Sequence, residues 1–252
     1  MRRRIGLALA LVGAGLLAAC GDDEAGQAQR GNTPILQAPA SGKRAEQRVE
    51  ERAAEPRRDL PAGGDFDFYV LALSWSPSWC LDNDPQAKTG QCKQGMRGLL
   101  VHGLWPQNDM GYPQFCASSE PERVPEALGR QLFDIMPPAL GLIGHQWRKH
   151  GSCTGLSQAD YFATLRKARE KLRLPESLQP RASDRPDSAA ALEEALTEAN
   201  PGLTREAIAL DCDKSRLEEI RICMTKDLGF RACPELDRKG CRVPRLDVPA
   251  PR

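Results

Sequence analysis

The chain has 252 residues and a formal net charge of +1, with 40% hydrophobic and 27% charged residues, which gives room for one ordinary domain and excludes a multidomain machine. The near-neutral balance also excludes a polycation that grips nucleic acid by bulk charge, so any such chemistry must sit in a local site. Nine cysteines are many for a cytosolic enzyme and one too many for complete pairing.

The amino terminus reads as an export signal. Arg2, Arg3 and Arg4 precede an apolar run over 5–19, short of the roughly twenty residues a membrane-spanning helix needs. The run ends in Leu17-Ala18-Ala19-Cys20. Small residues directly before a cysteine look like a bacterial lipobox, in which Cys20 is acylated and becomes the first residue of the mature chain. The rival reading is an ordinary signal-peptidase cut after a small-x-small triplet. Either exports the protein, and setting Cys20 aside leaves eight cysteines, an even set for an oxidising compartment. The expected organisation is a lipoprotein signal peptide over 1–19, a disordered tether over 20–63 and a folded catalytic domain over 64–252. The expected location is the periplasm of a bacterial envelope, membrane-anchored through Cys20. Within 20–63, seven Lys and Arg face eight Asp and Glu, and large apolar residues are too few to offset the entropy of ordering. A short helix around Ala45 to Ala54 is the only local structure it suggests.

From Asp65 the texture changes. Residues 66–75 alternate and are rich in aromatics, which predicts a core strand. Residues 98–105 form a second apolar run, read as a strand ended by Pro106. Residues 121–133 are helix-like. Ser157 is a good N-cap for a helix over 158–172, with Phe162, Leu165, Ala168 and Leu172 on one stripe. A further helix over 188–199 is stopped by Asn200-Pro201-Gly202, and Thr204 caps a short helix to Leu210. Residues 216–224 alternate as a strand with one wet face. The sum is an α+β domain with no internal repeat.

All three histidines lie in two compact segments, His102-Gly103-Leu104-Trp105-Pro106 and His145-Gln146-Trp147-Arg148-Lys149-His150-Gly151-Ser152-Cys153. A single histidine beside a strand is more often a hydrogen-bonded structural residue than a catalyst. Packing needs, however, do not explain why every imidazole stands near a tryptophan, with a lysine, an arginine and a cysteine alongside. Two imidazoles form a base and acid pair at neutral pH. A third, with Lys149 and Arg148, supplies donors for an oxyanion such as a phosphoryl group, and the indoles of Trp105 and Trp147 can stack on a base or line the cleft. The set suggests cleavage of RNA by attack of its own 2′-hydroxyl, with no cofactor. A zinc site is the alternative, but zinc proteases place two histidines four apart with a glutamate between, whereas here the separation is five and Gln146 stands where the glutamate would be.

These segments resemble the two active-site signatures of the ribonuclease T(2) family, His-Gly-Leu-Trp-Pro and His-Glu-Trp-x-Lys-His-Gly-Thr/Ser-Cys. The similarity extends to Leu73-Ser74-Trp75-Ser76-Pro77 before Cys80, to Asn200-Pro201-Gly202-Leu203, and to the late segment from Leu217 to Cys223. It implies an α+β fold with a mostly antiparallel sheet flanked by helices and stapled by disulfides. It also implies a metal-independent endoribonuclease that cleaves single-stranded RNA, not DNA, to 2′,3′-cyclic phosphate ends. By resemblance His150 is the general base, His102 the general acid, His145 the phosphate holder and Lys149 the cation at the transition state. Trp105, Tyr112 and Trp147 are the candidate substrate-binding residues. Gln146 departs from the family's glutamate, keeping a hydrogen-bonding arm but losing charge, which implies altered rate or pH behaviour. The disulfide pairs implied are Cys80 with Cys92, Cys116 with Cys153, and Cys212 with Cys241 around Cys223 with Cys233. A non-catalytic envelope lipoprotein that keeps the fold as a binding module is the runner-up, resting on Gln146 alone. A metal-dependent hydrolase is a third reading, and a monomer is the default state.

Overall fold

The computed structural model describes residues 60–93 and 98–251. The export signal, Cys20, the helix around Ala45 to Ala54 and all but the last residues of the 20–63 tether lie outside the described residues. Ala62 already pairs with Ala117, and Gly64 N–H donates to the Cys153 carbonyl at 2.9 Å, so residues ahead of the change of composition at Asp65 already pair with the folded domain. Backbone pairing of this kind leaves no mark on composition.

Strand β1 (Phe68–Trp75) leads into helix α1 (Ser76–Asn83) and the single turn α2 (Gly90–Lys93), before strand β2 (Leu99–Gln107). Helices α3 (Glu126–Arg130), α4 (Leu140–Lys149), α5 (Gln158–Lys171) and α6 (Ala189–Ala199) follow, then strands β3 (Ile208–Asp213) and β4 (Arg216–Met224) and helix α7 (Pro234–Lys239). The described strands form an antiparallel sheet in the order β2-β1-β4-β3. Side chains alternate along a strand, so register sorts them onto two faces. Leu71, Leu73 and Trp75 of β1 share one face with Val101 and Leu104 of β2 and with Ile220 and Ile222 of β4, and Ile143, Phe162, Leu165, Leu192 and Leu196 of the helices close this core. The second face carries Phe68 and Val70, with Trp105 and the Cys223–Cys233 disulfide beside them.

Register along β1 and β2 slips once. Ala72 pairs with Gly103 but Leu73 pairs with Val101, so His102 is an extra residue in β2. The bulge turns its side chain to the second face without disturbing Val101 or Leu104 in the core. Pro106 does not end β2, which continues to Gln107 with Pro106 opposite Tyr69. β2 is an edge strand, and a missing N–H is tolerated where no neighbour needs it.

Ser157 and Ser188 cap α5 and α6 as their positions suggest, accepting from Asp160 N–H and Ala191 N–H. Two helical expectations are corrected. Of 121–133 only Glu126–Arg130 is helical, because Pro125 starts the turn and cannot continue one from upstream. After Thr204 the chain makes one 3-10 turn and enters β3, where Ile208 and Leu210 bury at a period of two against β4. The eight cysteines of the described residues form Cys80–Cys92, Cys116–Cys153, Cys212–Cys241 and Cys223–Cys233.

Asn200, 2% exposed, ends α6 and binds three backbone groups: its Oδ1 accepts from Arg173 N–H at 2.7 Å, and its Nδ2 donates to the carbonyls of Arg173 and Leu196 at 2.8 Å each. Asn200→Ala leaves these groups buried without partners and is expected to destabilise the fold by about 2–4 kcal/mol. Chemical denaturation checks this, and a loss below about 1 kcal/mol would show that the groups find other partners.

Candidate active site

Segments far apart in sequence meet on the second face of the sheet around a cleft of about 920 Å³. His102 comes from the β2 bulge. Its Nδ1 lies 2.7 Å from Glu219 Oε2 on β4, and because an ionised carboxylate only accepts, Nδ1 carries the proton. This contact passes over β1, where the intervening side chains are Ala72 and Ser74, small enough to let it close. The other carboxylate oxygen of Glu219 accepts from Arg221 Nε at 2.7 Å, and Arg221 in turn donates to Asp211 at 2.7 Å. Burial alone would raise the Glu219 pKa. The hydrogen bond and charge of His102, with Arg221, outweigh burial and hold the carboxyl below its ordinary range.

Trp105 stands between two imidazoles. His150 stacks on it with ring centroids 5.1 Å apart and an interplanar angle of 24°, and His102 meets it edge-on at 5.3 Å. The indole Nε1 donates to Gln146 Oε1 at 2.9 Å. Glycine at 103 makes room for this bond, because a Cβ there would lie 2.2 Å from Gln146 Oε1 and 2.5 Å from Trp105 Nε1.

Helix α4 serves two environments by its 3.6-residue period. Ile143 and Trp147 bury in the core, while His145 and Lys149, one turn apart on another stripe, line the cleft. The end of α4 is fastened to the loop after β2. Phe115 N–H donates to the Lys149 carbonyl at 2.9 Å, Cys116 N–H donates to Ser152 Oγ at 3.1 Å, and Cys116–Cys153 crosslinks the two segments. Tyr112 of the same loop lines the cleft, half-exposed.

His150 caps α4, is 5% exposed, and its buried Nδ1 has no hydrogen-bond partner among the described residues. Burial first, then the charges of Lys149, His102 and His145, lower its pKa to about 3. Protonating it would place a full charge in a largely buried ring. His145 is also shifted down, by burial and then by Lys149 and Arg148.

The cleft thus gathers His102, Trp105, Tyr112, His145, Gln146, Lys149 and His150. Trp147 is a correction. It is 1% exposed, packs on Tyr161 and donates its indole N–H to the Pro121 carbonyl at 2.8 Å, so it anchors α4 and touches no cleft space. Glu219 and Arg221 escaped the sequence reading. The alternation of β4 put both on a wet face, but nothing local says that this face meets His102, 117 positions away. Among the described residues no group of three His, Cys, Asp or Glu side chains is placed to share a metal ion.

Because His150 in the folded protein refuses a proton that the unfolded chain accepts, stability is complete above about pH 6.5 and is lost as pH falls toward 3, by up to ~1.4 kcal/mol per pH unit. Between pH 7 and 4.5 the wild type should therefore lose about 2–3 kcal/mol more than His150→Asn in urea titrations. Equal losses would refute the buried neutral imidazole.

Residues 66–233 match the Ribonuclease T2 family. A ribonuclease of Aeromonas hydrophila is 40% identical over 108 residues, 43% of this chain and 47% of that protein. A probable ribonuclease of Haemophilus influenzae is 38% identical over 127 residues, 45% of this chain and 46% of that protein. The chain therefore spans about half the length of these curated relatives. In fold it is similar to RNase NT, solved in complex with 5′-AMP, with a TM-score of 0.53 and 24% identity over 68% of this chain and 91% of that one. With both histidine segments, all four strands and every cleft residue named above inside the matched span, the chain belongs to the Ribonuclease T2 family.

Proposed function

We propose that this protein is a metal-independent endoribonuclease that cleaves single-stranded RNA by transphosphorylation. The observation that carries the reading is the contrast between two imidazoles flanking Trp105: His102 rests on a carboxylate, and His150 is sealed away from any. Environments that separate two like groups assign one as acid and one as base. In the forward step the uncharged His150 takes the proton of the 2′-hydroxyl through Nε2, since Nδ1 is closed off. O2′ then bonds to phosphorus, the bond from phosphorus to O5′ breaks, and His102 gives its Nε2 proton to the departing O5′ while Nδ1–H stays on Glu219. The products are a 2′,3′-cyclic phosphate and a free 5′-hydroxyl. Water reverses the roles to open the ring.

His145 and Lys149 hold the phosphate, and Lys149 offsets the charge that develops on its oxygens. An anion seated beside His150 also raises its readiness to take the proton, countering the depression caused by burial. Gln146 acts through its bond to Trp105, keeping that ring against His150, and a neutral amide performs this as well as a carboxylate would. Tyr112 offers an aromatic face to the bases, and Trp105, its own faces taken by His150 and Arg221, lines the pocket beside them.

The wider organisation belongs to the same proposal: residues 1–19 direct export, Cys20 carries lipid, 20–63 tether the enzyme, and the domain from 64 acts as a monomer in the periplasm. Four disulfides support export, since such bonds persist in an oxidising compartment.

Full-length protein in detergent, given RNA or DNA in excess EDTA, should cleave RNA alone to cyclic phosphate ends, with His102→Ala or His150→Ala lowering kcat by at least about 10³-fold. Loss of activity in EDTA would point to metal-assisted hydrolysis, and no cleavage between pH 4 and 9 to a binding module. Glu219→Gln replaces the carboxylate that accepts from His102 Nδ1 and so fixes the ring and the nitrogen that faces the leaving group, and kcat should fall by about 10- to 100-fold with KM little changed. An unchanged kcat would separate Glu219 from the acid.

A further inference from the structure

The reaction proposed above uses one end of the cleft. The other end is walled by Arg231 and α7, which contributes Glu235, Arg238 and Lys239 to the lining. α7 lies beyond the residues that match the family. It has six residues and buries none of them, far too little to be stable by itself. Yet it is fixed on both flanks, by Cys223–Cys233 before it and Cys212–Cys241 after it, and Cys233 and Cys241 each donate a backbone N–H at 2.8 Å, to the carbonyls of Glu206 and Leu210. Two crosslinks around a helix whose one apolar contact is half-buried Leu236 beside Phe68 and Val70 point to a helix whose position matters.

Its charges suggest what the position serves. Among the cations of the cleft, Arg221 is held by Glu219 and Asp211, Arg231 by Asp109 at 2.8 Å, and Lys239 by Glu235 at 2.9 Å. Lys149 and Arg238 close no ion pair with a carboxylate among the described residues, and Arg238 acts on Glu235, already bonded to Lys239, only through its charge. Lys149 meets the scissile phosphate in the reaction above. Arg238 is the cation of the far end whose donors no carboxylate among the described residues takes up. The guanidinium of Arg231 lies 4.3 Å over the Phe68 ring. Phe68 pairs with Gln107 whereas the bulged His102 adjoins Ala72, so Arg231 stands roughly 13 Å along β1 from His102, past Trp105.

We propose that α7 is a stapled wall that binds a second phosphodiester of the RNA strand, Arg238 supplying the charge and the outer N–H groups of Arg231 and Lys239 supplying further donors. The direction of the strand rests on the reading of His102 as the acid. The leaving 5′-oxygen lies at the His102 end, so chain crossing Trp105 toward Arg238 is on the 5′ side of the scissile bond. The enzyme would then act better inside or near the 3′ end of an oligonucleotide than on a dinucleotide.

The test uses the full chain in detergent with three substrates: a ribodinucleoside monophosphate, and two hexanucleotides whose single ribonucleotide, in an otherwise 2′-deoxy strand, stands near the 3′ end or near the 5′ end. The Arg238→Ala, Lys239→Ala double variant should lower kcat/KM on the 3′-placed substrate by about five- to tenfold relative to the dinucleotide, and flatten its log-log salt dependence by about one unit. Arg238→Glu should lower it further. An equal loss on all three substrates, or a loss confined to the 5′-placed one, overturns the subsite. Should the wild type cleave none of them, the nuclease reading fails instead. The subsite is then judged by fluorescence anisotropy with an all-2′-deoxy hexanucleotide, on which unchanged affinity in the double variant overturns it.

Discussion

Because side chains alternate along a strand, closing one face of the sheet with α4, α5 and α6 commits the other face to the residues left between the core positions. Leu71, Leu73 and Ile220 face the helices, so Ala72, Ser74, Glu219 and Arg221 must face away. That second face is where charge can be kept. A buried carboxylate such as Glu219 would be costly by itself, but His102 on one side and Arg221 on the other make it the centre of a short chain of charge-assisted bonds. The small side chains of β1 at its midpoint are part of the same arrangement, for a leucine at 72 would part the strands' polar groups.

Helix α4 solves a related problem at right angles to the sheet. Its apolar stripe secures it, with Trp147 as the largest anchor, and that attachment holds His145, Lys149 and His150 in place against the cleft. The two tryptophans of the histidine segments have thus divided their work. Trp147 is a core residue with its one donor satisfied, and Trp105 is a cleft residue whose two faces and one donor are all engaged, by His150, His102, Arg221 and Gln146. Substituting glutamine at 146 keeps the acceptor that Trp105 needs, which explains how the segment tolerates the departure.

Much of this was legible in the sequence. The strands around Leu71 and Ile220, the capped helices after Ser157 and Ser188, and the gathering of all histidines into two segments follow from periodicity, caps and composition. The residues that could not be read share one property, dependence on partners distant in the chain. Ile208 and Leu210 looked like the end of a helix until β4 gave them a pairing edge. Trp147 looked like a base platform because its neighbours are catalytic in type, and only the packing of Tyr161 shows it turned inward. Glu219 carried no signal of its own, since one glutamate on a wet strand is like another until β2 is laid across β1. The cleft's local excess of Lys and Arg was equally hidden, being drawn from four separate stretches of a chain with a net charge of only +1.

The extra residue at His102 has a consequence for how such a chain can vary over generations. Upstream of the bulge Val101 belongs to the core face, and downstream Leu104 does too, with two residues between them in place of one. Losing either would restore even pleating with Val101 and Leu104 both still on the core face, so the sheet would keep its core and lose only the extra second-face position, taking with it either His102 or the glycine that clears room for Trp105 and Gln146. A deletion of one codon elsewhere in β2 would instead turn every later side chain to the opposite face. The bulge is thus the place where β2 can be shortened without unmaking the fold, and the loss falls on the cleft alone.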